Sequence, residues 1–294
     1  MAQKQRLLID YSGGLDQALA LWYALQSANV QVSGIVVTDA EPQRGIRLAQ
    51  KLIELVQPNA TIPVVAGASR PLFHRETDAQ AGAAATSDGV SFLSELRHDS
   101  ANPYTLVTLG RLTTVAMAMA RNHEWTSALE RLVVRGGAIR VPGDVTSVAE
   151  ANLHADPEAA AFVLAARLPL LFVPLDATES LSAAEAYIDE LAKRAKAAGL
   201  VTAAEAEAFF SAEKTASAVH ALAAIMAAES PECLFVEQMK LAVECQSELS
   251  RGALLADLRA KPSVGTDAAV CVGIKAGAVL AGLQQLPEKG DGRS

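Results

Sequence analysis

Aromatic side chains are scarce in this chain, at 4% of residues against 51% hydrophobic overall, so any core must be built mainly from Ala, Leu and Val. Such small aliphatic residues suit helices layered on a parallel sheet. Cysteine is also sparse. Cys233, Cys245 and Cys271 are odd in number and lack the spacing of metal ligands, which argues against a disulfide framework and for ordinary thiols in a reducing compartment. Basic residues are outnumbered, 25 Lys and Arg against 33 Asp and Glu, for a net charge of -8. With no basic cluster, neither nucleic acid nor an anionic membrane surface is an expected partner. No apolar run reaches the length of a membrane span, and Met1 to Arg6 leads into the first apolar run without the features of a signal peptide. A soluble cytoplasmic protein is expected. The 294 residues show no repeat and no linker, so one large domain over 1–288, with a frayed tail over 289–294, is the expected organisation.

The chain is organised around residues near its start. Leu7, Leu8 and Ile9 form an apolar run that stops at Asp10, Gly13 and Gly14 follow, and from Leu15 apolar residues recur at 18, 19, 22 and 25. That pattern predicts strand, tight turn and helix. The two glycines allow the chain to reverse within a few residues. Asp10 then falls at the strand's carboxyl end and Asp16 in the first helical turn, where the helix dipole favours a negative charge. In an open parallel sheet this is the usual ligand crevice.

Further along, apolar runs predict strands over 30–38, 62–65, 104–108, 132–134 and 168–173, with helices over 43–56 and 112–121 between them. Residues 67–102 are rich in Ala, Gly, Ser and Asp, with one short apolar piece at 90–93, and read as a lid or a disordered segment. A Gly136-Gly137 pair follows the strand ending near Arg135. Asp156 and Pro157 read as the N-cap and first residue of a helix. Helices are predicted over 183–198 and 203–228, strands over 234–243, 253–258 and 268–274, and a closing helix over 275–286. Alternation of this kind predicts an α/β fold: an open, mainly parallel, doubly wound sheet flanked by helices, with a small extra antiparallel sheet near the C-terminus.

Two families share features of the opening motif. Tyr11-Ser12-Gly13-Gly14-Leu15-Asp16 resembles the phosphate loop of the ATP pyrophosphatase superfamily, with Gln17 where that loop ends in a hydroxyl, and implies nucleotide-phosphate binding at a helix N-terminus. The second resemblance extends along nearly the whole chain. Asp10 to Ala18 resembles the Asp-Thr-Asp-Pro-Gly-x-Asp-Asp-Ala opening of the inosine-uridine preferring nucleoside hydrolases. Pro63 to Leu72 is similar to their Pro-Val-x-x-Gly-x-x-x-Pro-Leu segment, and Leu109-Gly110-Arg111-Leu112-Thr113-Thr114 to their Thr-Gly-Pro/Gly-Leu-Thr-Asn turn. Thr146 to Ala160 resembles their Ala-Glu-Phe-Asn-x-x-x-Asp-Pro-Glu-Ala-Ala, Val173 to Thr178 their Val-Gly-Leu-Asp-x-Thr, and Ala218-Val219-His220 the start of their Val-His-Asp-Pro.

This resemblance implies a nucleoside hydrolase-like fold and hydrolysis of the N-glycosidic bond of nucleosides. In the family, calcium is held at positions that match Ser12, Gln17, the Leu109 carbonyl and Ala221, and a carboxylate of the opening motif is the base. Three carboxylates are therefore missing. Calcium takes six to eight oxygens, with charged ones contributing most of the affinity, so no metal is expected here. Asp10, Asp16, Glu150 and Asn152 match positions beside the metal or against sugar hydroxyls, and Asp144 replaces a family asparagine. Arg111 and Arg135, neutral positions in the family, fall at carboxyl ends of strands, and either is a candidate to occupy the metal's space. The expected function is a noncatalytic or impaired relative with a residual ribose or nucleoside crevice. The alternatives are an active N-ribohydrolase with an altered site and phosphate binding through the Ser12 turn. A homodimer or homotetramer is expected from the family.

Overall fold

A computed structural model describes residues 4–73, 87–178 and 212–275, and the single positions 196 and 277. Its strands are β1 (Gln5–Tyr11), β2 (Val30–Val37), β3 (Val64–Ala66), β4 (Tyr104–Thr108), β5 (Leu129–Arg135), β6 (Leu170–Val173), β7 (Leu234–Val243), β8 (Leu254–Ala256) and β9 (Thr266–Ile274). All nine lie in one sheet, in the order β3-β2-β1-β4-β5-β6-β9-β7-β8. The run from β3 to β9 is parallel. The antiparallel strands expected near the C-terminus, β7 and β8, continue this sheet through β9 rather than standing apart from it.

The described helices are α1 (Leu15–Gln26), α2 (Pro42–Val56), α3 (Asp88–Ser94), α4 (Thr113–Arg121), α5 (Ala151–Ala155), α6 (Pro157–Ala165) and α7 (Ala212–Glu229). They form two layers because buried strand residues alternate between two cores. Leu7, Ile9, Tyr11, Val133 and Val173 pack with α1, α2 and α7, whereas Leu8, Leu132, Val134 and Phe172 pack with α3, α4 and α6. Of the helices predicted over 183–198 and 275–286, all but positions 196, 275 and 277 lie outside the described residues.

The segment read as a lid or disordered contains α3, a correction to the sequence expectation. Ser87 caps it by accepting from the Val90 amide, and Val90 and Leu93 are buried in the core. Three apolar residues within four positions are too few for a helical period to reveal, and burial against β2 decides the state. Residues 74–86 lie outside the described residues.

From β1 the chain proceeds outward to β2 and β3, then returns to the other side of β1 with β4. The order therefore reverses between β1 and β4, and in such sheets ligands bind where neighbouring crossovers leave in opposite directions. The turn after β1 is tightly held. Gly13 has φ +79°, and a Cβ there would stand 3.0 Å from Gly45 Cα in α2. Gly13→Ala is expected to cost about 1–3 kcal/mol, read as a lower urea midpoint at unchanged m-value. An unaltered midpoint would mean that this loop relaxes without strain.

Candidate functional site at the switch point

Asp10 is the last buried polar residue of β1 before the turn, and its side chain leaves on the Leu8 face of the sheet, toward α4. It is fully buried, and among the described residues neither carboxylate oxygen has a hydrogen-bond partner. Burial pushes its pKa from 3.8 up to about 7. The Thr38 hydroxyl, itself bonded to Thr114, and the Arg111 guanidinium oppose that rise without reversing it. Arg111 lies on the same side but donates to the Ala68 carbonyl at 3.0 Å.

A second constellation lies on the opposite face, under α7. Arg135, the last residue of β5, is 4% exposed. Its Nη1 donates to the Leu109 carbonyl at 3.0 Å and its Nη2 to Ser217 Oγ at 2.8 Å. Ser217 Oγ in turn donates to Asp16 Oδ2 at 2.6 Å. Arg135 and Asp16 thus meet through a hydroxyl, and neither Arg111 nor Arg135 bonds directly to Asp10 or Asp16. For Asp10 and Arg135 strand alternation is the reason, since the two project to opposite faces, whereas Arg111 is turned to the Ala68 carbonyl.

Between the two lie Glu150 and Asn152. Glu150 is fully buried and caps α5, its Oε2 accepting from the amides of Gly137 (3.2 Å), Asn152 (2.9 Å) and Leu153 (3.3 Å). Among the described residues its Oε1 has no partner. Burial raises this carboxyl to about 7 although Arg135 draws it down. Asn152 Nδ2 donates to the carbonyls of Leu109 and Arg135, each at 3.0 Å. Asp144 turns inward only as far as the Ala151 amide, at 2.8 Å.

The positions matching the metal ligands make other contacts. Gln17 Oε1 accepts from the Ser12 amide at 2.7 Å, closing the turn on itself. Ala221 is buried in α7 with no polar atom to offer. The Leu109 carbonyl already receives both Arg135 and Asn152, which uses both of its lone pairs. Among the described residues no group of three or more His, Cys, Asp or Glu converges as a metal site. This donor set does not fit calcium, because a guanidinium and an amide occupy the carbonyl that a divalent ion would need.

His220 is fully buried with Nε2 donating to the Val173 carbonyl at 2.6 Å, and burial together with Arg135 pushes its pKa down to about 3. It is neutral at physiological pH. Ser217 is the residue that sequence reading missed. Its signal was positional: four residues before Ala221, it shares that residue's helix face. A cleft of about 430 Å3 at the other end of the sheet is lined by Arg131, Leu168, Val236 and Asp267, and contains none of these groups.

Comparison with known proteins bears on the whole chain. The family model described as inosine-uridine preferring nucleoside hydrolase matches residues 7–281. The pyrimidine-specific ribonucleoside hydrolase RihA of Salmonella choleraesuis is 26% identical over 275 residues, covering 85% of this chain and 88% of that protein. An uncharacterised protein of Schizosaccharomyces pombe is also 26% identical, over 276 residues, covering 86% and 89%. Among solved structures, an inosine-guanosine nucleoside hydrolase superposes with TM-score 0.79 at 24% identity, covering 97% of this chain and 99% of that one. The inosine-uridine preferring nucleoside hydrolase of Bacillus anthracis gives 0.76 at 20%, covering 96% and 98%. At these identities the structures speak for the fold alone, which they share along nearly its full length. With the family model spanning almost every described element, the chain belongs to the inosine-uridine preferring nucleoside hydrolase family.

Proposed function

We propose that this protein binds a ribosyl compound, a free ribose or a nucleoside, at the switch point between β1 and β4, and does so without hydrolysing it. One observation carries the binding half. Among the described residues, both oxygens of Asp10 and Oε1 of Glu150 are buried acceptors with no donor at hydrogen-bonding geometry, the Thr38 hydroxyl near Asp10 being bonded to Thr114, a condition that folded proteins rarely leave unanswered. Sugar hydroxyls are suitable donors for them. The second half is supported by chemistry: Ser12, Gln17 and Ala221 offer neither the charge to hold a divalent ion nor the base to activate a water.

Isothermal titration with ribose and a nucleoside panel, with added calcium and with chelator, is expected to give the same binding in both conditions. A reducing-sugar assay on the same preparation is expected to show no ribose release. Calcium-dependent release would overturn this reading.

An active N-ribohydrolase with an altered site is the second reading, and Asp10 favours it. A buried carboxyl with both oxygens uncommitted is free to accept a proton from a water. On that reading ribose release occurs without calcium and disappears in Asp10→Asn.

A further inference from the structure

We infer that Arg135 is the resident cation of this crevice, built into the chain where the family's pattern places an exchangeable divalent ion. The contacts converge on this from three sides. The Leu109 carbonyl, which matches a ligand position, accepts from Arg135 Nη1 at 3.0 Å. Ser217, which receives Nη2 at 2.8 Å, stands one helical turn before Ala221, the position of the missing aspartate, so the guanidinium meets α7 on the face from which that carboxylate would project. Gln17, another matching position, has its Oε1 taken by the Ser12 backbone amide at 2.7 Å.

Charge balance supports the assignment. Arg135 is buried, and its guanidinium offers only N–H donors. Asp16 lies one hydroxyl away, through Ser217, and the Arg135 charge also acts on the Glu150 carboxyl. The crevice thus keeps a fixed positive charge among its carboxylates, as a bound metal would provide. A guanidinium differs in that it has only N–H donors and no open coordination position, so it can orient acceptors but cannot bind and acidify a water as a coordinating metal does. Ser217 is the positioning residue of this arrangement.

The test rebuilds the older pattern and asks what Arg135 excludes. Ser12→Asp, Gln17→Asp and Ala221→Asp are combined, once with Arg135 retained and once with Arg135→Met, and each protein is melted with calcium chloride and with chelator. The fourfold variant is expected to gain about 5 °C in calcium; the threefold variant and the unaltered protein are expected to gain none. Equal gains with and without Arg135, or a calcium-dependent gain in the unaltered protein, would overturn the inference. Should the fourfold variant fail to fold, Arg135→Ala decides it: low-millimolar guanidinium chloride is expected to raise its melting temperature relative to sodium chloride, and no such difference refutes the assignment. These readouts are metal binding and stability, so they stand whether or not the crevice binds a sugar.

Discussion

Asp10→Asn is expected to remove about 4 kcal/mol of pH-dependent destabilisation between about pH 4 and pH 8. In the folded protein burial raises this carboxyl from 3.8 to about 7. Across that window the folded state holds a proton that the unfolded chain has lost, so stability falls as pH rises from about 4 and levels off above about 7. Glu150, raised from 4.5 to about 7, acts in the same direction by about 3 kcal/mol. His220 acts in the opposite sense. Its pKa falls from 6.5 to about 3, so the unfolded chain takes up a proton that the folded chain refuses, and stability falls as pH drops from about 6.5. The wild-type profile therefore mixes opposing slopes. The difference between variant and wild type isolates Asp10. Urea unfolding at a series of pH values should show that difference growing in favour of Asn with pH; a constant offset would mean that Asp10 is not buried as a proton-holding carboxyl.

Asp156→Ala is expected to cost about 3–5 kcal/mol and to lower the melting temperature by about 10 °C. Asp156 is fully buried. Its Oδ1 accepts from the Ala159 amide at 3.1 Å, the cap of α6, while its Oδ2 accepts from the Leu72 amide at 2.8 Å and from the Thr113 hydroxyl. One carboxylate thus joins the start of α6, the start of α4 and the chain after β3. Removing it leaves two buried donors and the half-buried Leu72 amide without an acceptor, and each buried loss exceeds the value of an exposed cap. Thr113→Val in the same background should add little, because its partner is already gone. A loss of only about 1 kcal/mol would reduce Asp156 to an ordinary helix cap.

Asp156 also shows where local reading stops. Its place before Pro157 marks it as a cap from sequence, and it is one. The bonds to Leu72 and Thr113 span 84 and 43 residues, and no local pattern encodes them. The predicted strand at 104–108 and the predicted helix at 43–56 lie within a residue of β4 and α2, because buried periodicity and a proline at N1 are local properties. The predicted strand at 253–258 shortens to β8, Leu254–Ala256, since an edge strand extends only as far as its single neighbour pairs with it. The helix α3 escaped notice for the reason that hides any short apolar segment: its burial is decided by what it packs against.

The sequence by itself determined the βα alternation, the family pattern and the list of polar residues that reach the carboxyl ends of the strands. It also carries the resemblance that sets Ser12, Gln17 and Ala221 against the family's carboxylate positions, since these residues can be read without coordinates. Only the tertiary structure decided how the remaining residues divide. Asp10 and Arg135 are both strand-terminal and look equivalent in sequence, yet alternation in β1 and β5 sends one toward α4 and the other toward α7. Arg111 and Arg135 were indistinguishable as candidate cations until strand order placed Arg135 against the Leu109 carbonyl and Ser217, and Arg111 against Ala68. The physical reason is that side-chain direction follows from local geometry, whereas the partner met along that direction depends on which distant strands and helices lie alongside.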